Sequence, residues 1–150
     1  MVMMTDAFEI SRVGTTLPDL AELETAATAE GENSMRKLVA DWQSSALRFD
    51  GPGEALLVAQ MSGRTVAVGG VTREPTGGEP FRLRRFYVLP ACRNRGIATA
   101  LACHLIEAPE RSRFILTVHA GSSHAAKFWE RLGFDPVDGM PYSHRRLWPF

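Results

Sequence analysis

Cysteine is scarce in this chain of 150 residues, with Cys92 and Cys103 the only two. Two thiols cannot make a disulfide framework and neither stands at a metal-ligating spacing, so no metal site is expected. An excess of charge of either sign is missing as well. Lys and Arg total 17 against 17 Asp and Glu, which removes any global attraction to nucleic acid or an anionic membrane. No apolar run reaches the ~20 residues needed to span a bilayer. The opening MVMMTDAFEI does not resemble a signal peptide. These absences point to a reduced, cytoplasmic protein with no membrane partner. The length suits one domain over 1–150, able to bury about 70% of its unfolded surface.

What is present is a succession of short strands and helices. Phe8 to Val13 alternates weakly and reads as a first strand. Leu17, Leu20, Leu23 and Ala27 form a helical stripe over Pro18 to Glu30, with Gly31 as its stop. A second helix is predicted from Asn33 or Ser34, either of which can cap it, to about Phe49 through Leu38, Trp42 and Leu47. Ala55 to Met61 and Arg64 to Thr72 read as a hairpin turning at Ser62-Gly63, with Gly69 and Gly70 marking a bend. Phe114 to Val118 suits a short buried strand. Ser122 or Ser123 then caps a helix whose core side is Ala125, Phe128, Trp129 and Leu132, and Gly133 ends it. Phe134 to Phe150 makes a closing pair of strands around Asp138-Gly139. This order predicts an α/β domain of the α+β type, with a mixed, mostly antiparallel central sheet and about four helices.

The stretch Arg82 to Leu105, RLRRFYVLPACRNRGIATALACHL, carries the most chemistry. A strand ends at or before Pro90, which has no N–H to give. A basic turn follows from Ala91 to Arg95, and a helix opens at Gly96 with Ile97, Leu101, Leu105 and Ala108 at helical spacing. Such a helix points its free N–H groups and positive dipole end into the loop, a site for an anion such as phosphate. Gly96 and Ala98 keep the approach open, and Arg93 and Arg95 add positive charge. No Lys-Ser or Lys-Thr follows the glycine, and only one glycine is present, so neither the Walker loop nor the three-glycine dinucleotide fingerprint applies. Along the strand, Phe81 and Leu83 share one face whereas Phe86 and Val88 share the other. That slip around Arg84 and Arg85 predicts a β-bulge, which would leave backbone groups open to an extended amide-bearing ligand. Arg82, Arg84, Arg85, Arg93 and Arg95 crowd this segment without an intervening acid. Phe86 and Tyr87 sit together between the two arginine groups and do not alternate with the basic residues, so nucleic acid is not an expected partner.

The same residues resemble motif A of the GNAT superfamily of acetyl-CoA-dependent N-acetyltransferases. Its signature, Gln/Arg-x-x-Gly-x-Gly/Ala, is met by Arg93, Gly96 and Ala98 after a Val-x-Pro strand end. SSHAAKFWERLGF resembles motif B, usually Asn-x-x-Ala-x-x-Phe-Tyr-x-x-x-Gly-Phe, through Ala125, Phe128, Gly133 and Phe134. The resemblance covers roughly residues 55–148. It implies splayed central strands, acetyl-CoA as co-substrate, and direct transfer to a primary amine of a small molecule or peptide in a ternary complex. It further implies that Arg93, Asn94, Arg95, Gly96, Ile97, Ala98 and Thr99 surround the pyrophosphate. The pantetheine arm would pair near Tyr87 and Val88, with the Val88 N–H aimed at the thioester oxygen. Ser122, where the family has Asn, and Phe128 are further implied cofactor contacts. The early helices would wall the acceptor groove. Homodimers paired through the C-terminal strands are common among proteins of this resemblance, so a homodimer is a possible assembly it implies.

The acid–base chemistry departs from the pattern. An alkyl amine has a pKa near ~10.4, so a base must take its proton near neutral pH. Many relatives carry Glu on the central strand or on the strand after the motif A helix, where this chain has Arg82 and Thr117. Glu79 and His119 are the replacement candidates. Trp129 stands at the family's acidic Tyr, which leaves Tyr142 as the candidate acid. His104 reads as a core residue of its helix, and His124 and His144 as surface or strand positions. The departures keep a second reading open: a non-catalytic acyl-CoA-binding or protein-interaction module on the same fold.

Overall fold

The computed structural model describes residues 7–111 and 113–147 and places every described strand in one sheet. The strands are β1 (Glu9–Arg12), β2 (Ala55–Met61), β3 (Arg64–Arg73), β4 (Phe81–Val88), β5 (Leu116–Val118), β6 (Asp135–Pro136) and β7 (His144–Arg146). The helices are α1 (Ala21–Ala29), α2 (Ser34–Gln43), α3 (Ile97–Glu107) and α4 (Ser123–Arg131). Sheet order is β1-β2-β3-β4-β5-β7-β6, antiparallel except for the parallel pair β4–β5. The mixed, mostly antiparallel architecture with four helices is the one expected.

β2 and β3 are apolar on both faces because helices cover both. On one face α1 and α2 pack through Leu23, Ala27, Leu38 and Trp42. On the other, α3 and α4 pack through Ala102, Leu105, Ile106 and Trp129. The β2–β3 hairpin turns at Ser62 and Gly63, both at positive φ (52° and 79°), the geometry of a type I′ turn. Gly69 and Gly70 do not end β3. A Cβ on Gly69 would lie 2.6 Å from the Phe86 ring, and one on Gly70 would strike Phe49, so each glycine makes room for a ring on its own face.

Two boundaries differ from expectation. α2 ends at Gln43, not near Phe49. Ser45 adopts φ 63° and the Ala46 N–H turns back to the Asp41 carbonyl at 2.9 Å, which unwinds the helix. Leu47 and Phe49 still reach the core, but from a loop, and periodicity cannot separate those cases. The second difference is at the C-terminus, where β6 and β7 are only two and three residues long. The predicted closing pair extended to Phe150, and residues 148–150 lie outside the described set.

Candidate active site

β4 and β5 are paired only at their first residues, Phe81 with Leu116 and Arg82 with Thr117. β4 then runs six residues further, to Val88, while β5 stops at Val118. The cause of the parting is visible in the register of β4 against β3. Val68 faces Tyr87 and Gly70 faces Arg84, so β4 carries one extra residue there. Arg85 takes it up at φ 57°. This is the bulge that the phase slip predicted, and a bulge bends the strand that holds it. Because of it, Phe86 rejoins the face of Phe81 and Leu83. There it meets Trp129 at 5.1 Å and Phe128 at 6.0 Å between ring centroids.

The Leu89 N–H donates to the Val66 carbonyl at 2.9 Å. Antiparallel neighbours alternate in the side to which their amides turn, so Tyr87 bonds toward β3 whereas Val88 turns its N–H and C=O into the gap. Of Tyr87 and Val88, Val88 is thus the one whose backbone groups turn toward the gap. Its carbonyl accepts Arg93 Nε at 3.0 Å, and its N–H remains as the inward-facing donor at that end of β4. The chain then makes a short turn at Pro90–Cys92 and passes Asn94 (φ 64°) and Gly96 (φ 80°) into α3. No side chain caps the start of α3, and a Cβ added to Gly96 would meet no protein atom within 4 Å. The first N–H groups of an 11-residue helix thus open outward around Ile97, Ala98 and Thr99. This cradle fits a diphosphate.

Arg93 makes a tie to the α1–α2 segment. It grips Glu30, just past α1, through Nη1 at 3.0 Å and Nη2 at 2.8 Å, with its guanidinium 5.3 Å from the centre of the Tyr87 ring. The Tyr87 hydroxyl donates to the same carboxylate at 2.6 Å. Hydrogen bonds from Arg93 and Tyr87 hold the Glu30 carboxyl below its usual range. Burial, and then that hydrogen bond, push the Tyr87 phenol up. Arg93 and Tyr87 thus fasten the α1–α2 segment to the end of β4.

Sequence reasoning missed the carboxylate at the other end of the gap. Glu74, just past β3, is buried to 4% exposure. Its two oxygens accept Arg82 Nε at 3.0 Å and Nη2 at 2.9 Å, Thr117 Oγ1 at 2.7 Å, and Thr76 N and Oγ1 at 3.1 and 2.7 Å. Burial pushes this carboxyl up, but the hydrogen bonds from Thr76, Thr117 and Arg82 outweigh it and hold the group below the ordinary range. Its five hydrogen bonds make it a strut across the closed end of the gap. The only signal for it was indirect: a polar Arg and Thr on central strands must find a buried partner.

The remaining candidates are dispersed. Glu79 is exposed in the loop before β4, at the closed end of the gap. His119 is exposed just beyond β5, where the two strands part. Tyr142 is buried, and its neighbour Ser143 ties the C-terminal segment to β5 through Val118 and Ala120. The Ser122 hydroxyl accepts the Ala125 N–H at 3.1 Å and caps α4. Trp129 is buried among Phe86, Phe128 and Phe134. His144 is buried and links Ser143 Oγ at 2.7 Å to Glu130 at 2.8 Å, joining β7 to α4. Among the described residues no cluster of His, Cys, Asp or Glu could hold a metal, and no helix is long and apolar enough to cross a membrane.

Residues 23–147 match the acetyltransferase (GNAT) domain family, and the chain belongs to it. It is 33% identical over 95 residues, 60% of its length, to the uncharacterized N-acetyltransferase YjgM of Escherichia coli (strain K12). That match spans 56% of YjgM, little more than half of that protein. A candidate acetyltransferase from Exiguobacterium sp. 255-15 is 26% identical with a TM-score of 0.80, over 93% of this chain and 92% of that one. A predicted acetyltransferase with acetyl-CoA from Clostridium acetobutylicum has a TM-score of 0.60 over 89% of this chain and 94% of that one. At its 16% identity the likeness is one of fold.

Proposed function

We propose that this chain transfers an acetyl group from acetyl-CoA to a primary amine of a small molecule or peptide, the amine attacking directly while both reactants are bound. The observation that carries the reading is the parted β4–β5 pair: it leads one inward N–H, that of Val88, toward an uncapped helix start at Gly96. Acetyl-CoA, when bound, supplies the acyl group in activated thioester form.

The residues of the chain account for the rest. Backbone N–H groups from Arg95 to Thr99 hold the diphosphate, and the helix dipole favours its charge. The Val88 N–H stabilises negative charge developing on a carbonyl oxygen, a fixed donor of this kind contributing about 3 kcal/mol. The walls on either side of the gap align the two reactants, which removes most of the entropic barrier. His119, at the point where β5 leaves β4, takes the amine proton, directly or through water. Glu79 stands at the closed end and is set aside. The Tyr87 hydroxyl is committed to Glu30, so of the two tyrosines Tyr142 is the one left to protonate the departing sulfur.

The test is calorimetry with acetyl-CoA followed by thiol release across amines, amino acids and peptides. Micromolar binding with turnover of at least one acceptor supports the proposal. Binding without turnover across the panel supports the non-catalytic module, which the dispersal of the acid–base candidates favours. No binding at all sinks both.

A further inference from the structure

Resting on that reading, we propose that the acceptor carries a carboxylate beside its amine, and that Arg84 and Arg85 hold this carboxylate on the open face of the sheet next to α2. The bulge makes the pair possible. In a regular strand consecutive side chains point to opposite faces. Here Arg84 lies opposite Gly70, whose free side is covered by Phe49 of the α1–α2 face. Arg85, displaced by the bulge, reaches toward Asp41 of α2 on that same face. Two adjacent guanidinium groups are thereby turned the same way. Arg82 and Thr117 also lie there through Glu74, and Arg145 is paired with Thr117 across β7. The apolar cluster under α1 and α2 takes residues from β2, β3 and β4 and none from β5 or β7.

The charges on this face are not balanced. Glu74 is saturated by Arg82, Thr76 and Thr117. Asp41 lies 3.4 Å from Arg85 Nη2, longer than the 2.7–2.9 Å of a charge-assisted bond. Arg85 Nε is buried without a hydrogen-bond partner among the described residues. Arg84 is half-buried and makes neither hydrogen bond nor ion pair with the described residues. Burial, then Arg85 and Arg82, act against its charge. A partly desolvated guanidinium gains most from a carboxylate, which its planar fork can bind through two parallel bonds. A polycationic acceptor would meet like charge here.

The experiment measures thiol release from acetyl-CoA with paired acceptors. Alanine, 4-aminobutyrate, 6-aminohexanoate and a short peptide with a free C-terminus are each compared with the corresponding amide. Calorimetry of the same pairs is run on the protein with CoA, for wild type, Arg84→Leu and Arg84→Lys. At least one carboxylate acceptor should exceed its amide tenfold or more in kcat/KM. Arg84→Leu should bring that ratio to within twofold through KM, at unchanged acetyl-CoA affinity, and Arg84→Lys should fall between. Turnover of amides equal to or above the acids, or equal losses for both in Arg84→Leu, overturns the proposal while leaving acetyl transfer intact. If no amine is turned over, the acetyl-transfer reading fails and the calorimetric arm decides separately. Carboxylate-dependent binding that Arg84→Leu removes upholds the anion site, and its absence overturns it. A thermal melt of each variant shows that loss of binding is not loss of fold.

Discussion

The two ends of β4 differ in how their polar groups are satisfied. At the Phe81 end the strand is paired on both sides, and the buried Glu74 there accepts five hydrogen bonds from Thr76, Arg82 and Thr117. At the Val88 end β5 is gone, an amide faces the gap, and the helix beyond starts without a cap. The difference teaches that an open end needs a fixed one. A strand can be held apart from its neighbour only if the point of divergence cannot slide, and the Glu74 strut and the Arg85 bulge pin it.

The largest effect should come from the open end. Gly96→Glu places a carboxylate at the mouth of α3 and forces a side chain onto φ 80°. Acetyl-CoA affinity should fall a thousandfold or more, about 4 kcal/mol, in calorimetry. Normal binding by that variant would refute the cradle.

The closed end answers through stability. Glu74→Gln leaves Arg82 and Thr117 facing a neutral amide inside the core, and breaking such a pair costs about 3 kcal/mol. Chemical denaturation of both proteins measures it. The pH dependence has a definite sign. A carboxyl held below its unfolded value contributes stability above that value, about 4.3, and loses it as pH falls through the lower folded value. Wild type should therefore lose its advantage over Glu74→Gln only in acid, below about pH 4. An advantage that did not change down to pH 2 would contradict the assigned direction.

Between the two ends lies the bend. Gly70→Ala drives a methyl group into the Phe49 ring and should cost about 2 kcal/mol by overpacking, read in the same denaturation. An unchanged midpoint would mean that Phe49 moves aside freely. The smallest effect is expected at Glu30→Gln. The Arg93–Glu30 pair is half-exposed, at 41% and 37%, so its loss should change stability by less than about 1 kcal/mol. The freed guanidinium should tighten CoA binding a few-fold and steepen its dependence on salt. Weaker binding would show that Glu30 serves the site chiefly by positioning Arg93 over the Val88 carbonyl.

Much of this was legible in the chain itself. The phase slip at Arg84 and Arg85 announced the bulge, because burial on one face forces a period of two and any exception must be absorbed locally. Pro90, Gly96 and the stripe Ile97, Leu101 and Leu105 announced the turn and the helix. What stayed hidden are contacts between residues far apart in sequence. Nothing in the local pattern shows that Glu74 would meet Thr117, or that Arg93, spaced as a phosphate ligand, would close on Glu30. The end of α2 was missed for a related reason. Phe49 is buried and Leu47 packs partly buried against the same core, as helical residues would, but tertiary packing holds them in a loop.

The sequence by itself determined the order of elements, the bulge and the open helix start, because each depends on steric and hydrogen-bonding preferences that act within a few residues. Only the tertiary structure decided which charges are spent on one another and which remain, among the described residues, without a close ionic partner on the α2 side of the sheet. An ion pair depends on distance through space, and the sheet brings together residues that the chain keeps more than forty positions apart.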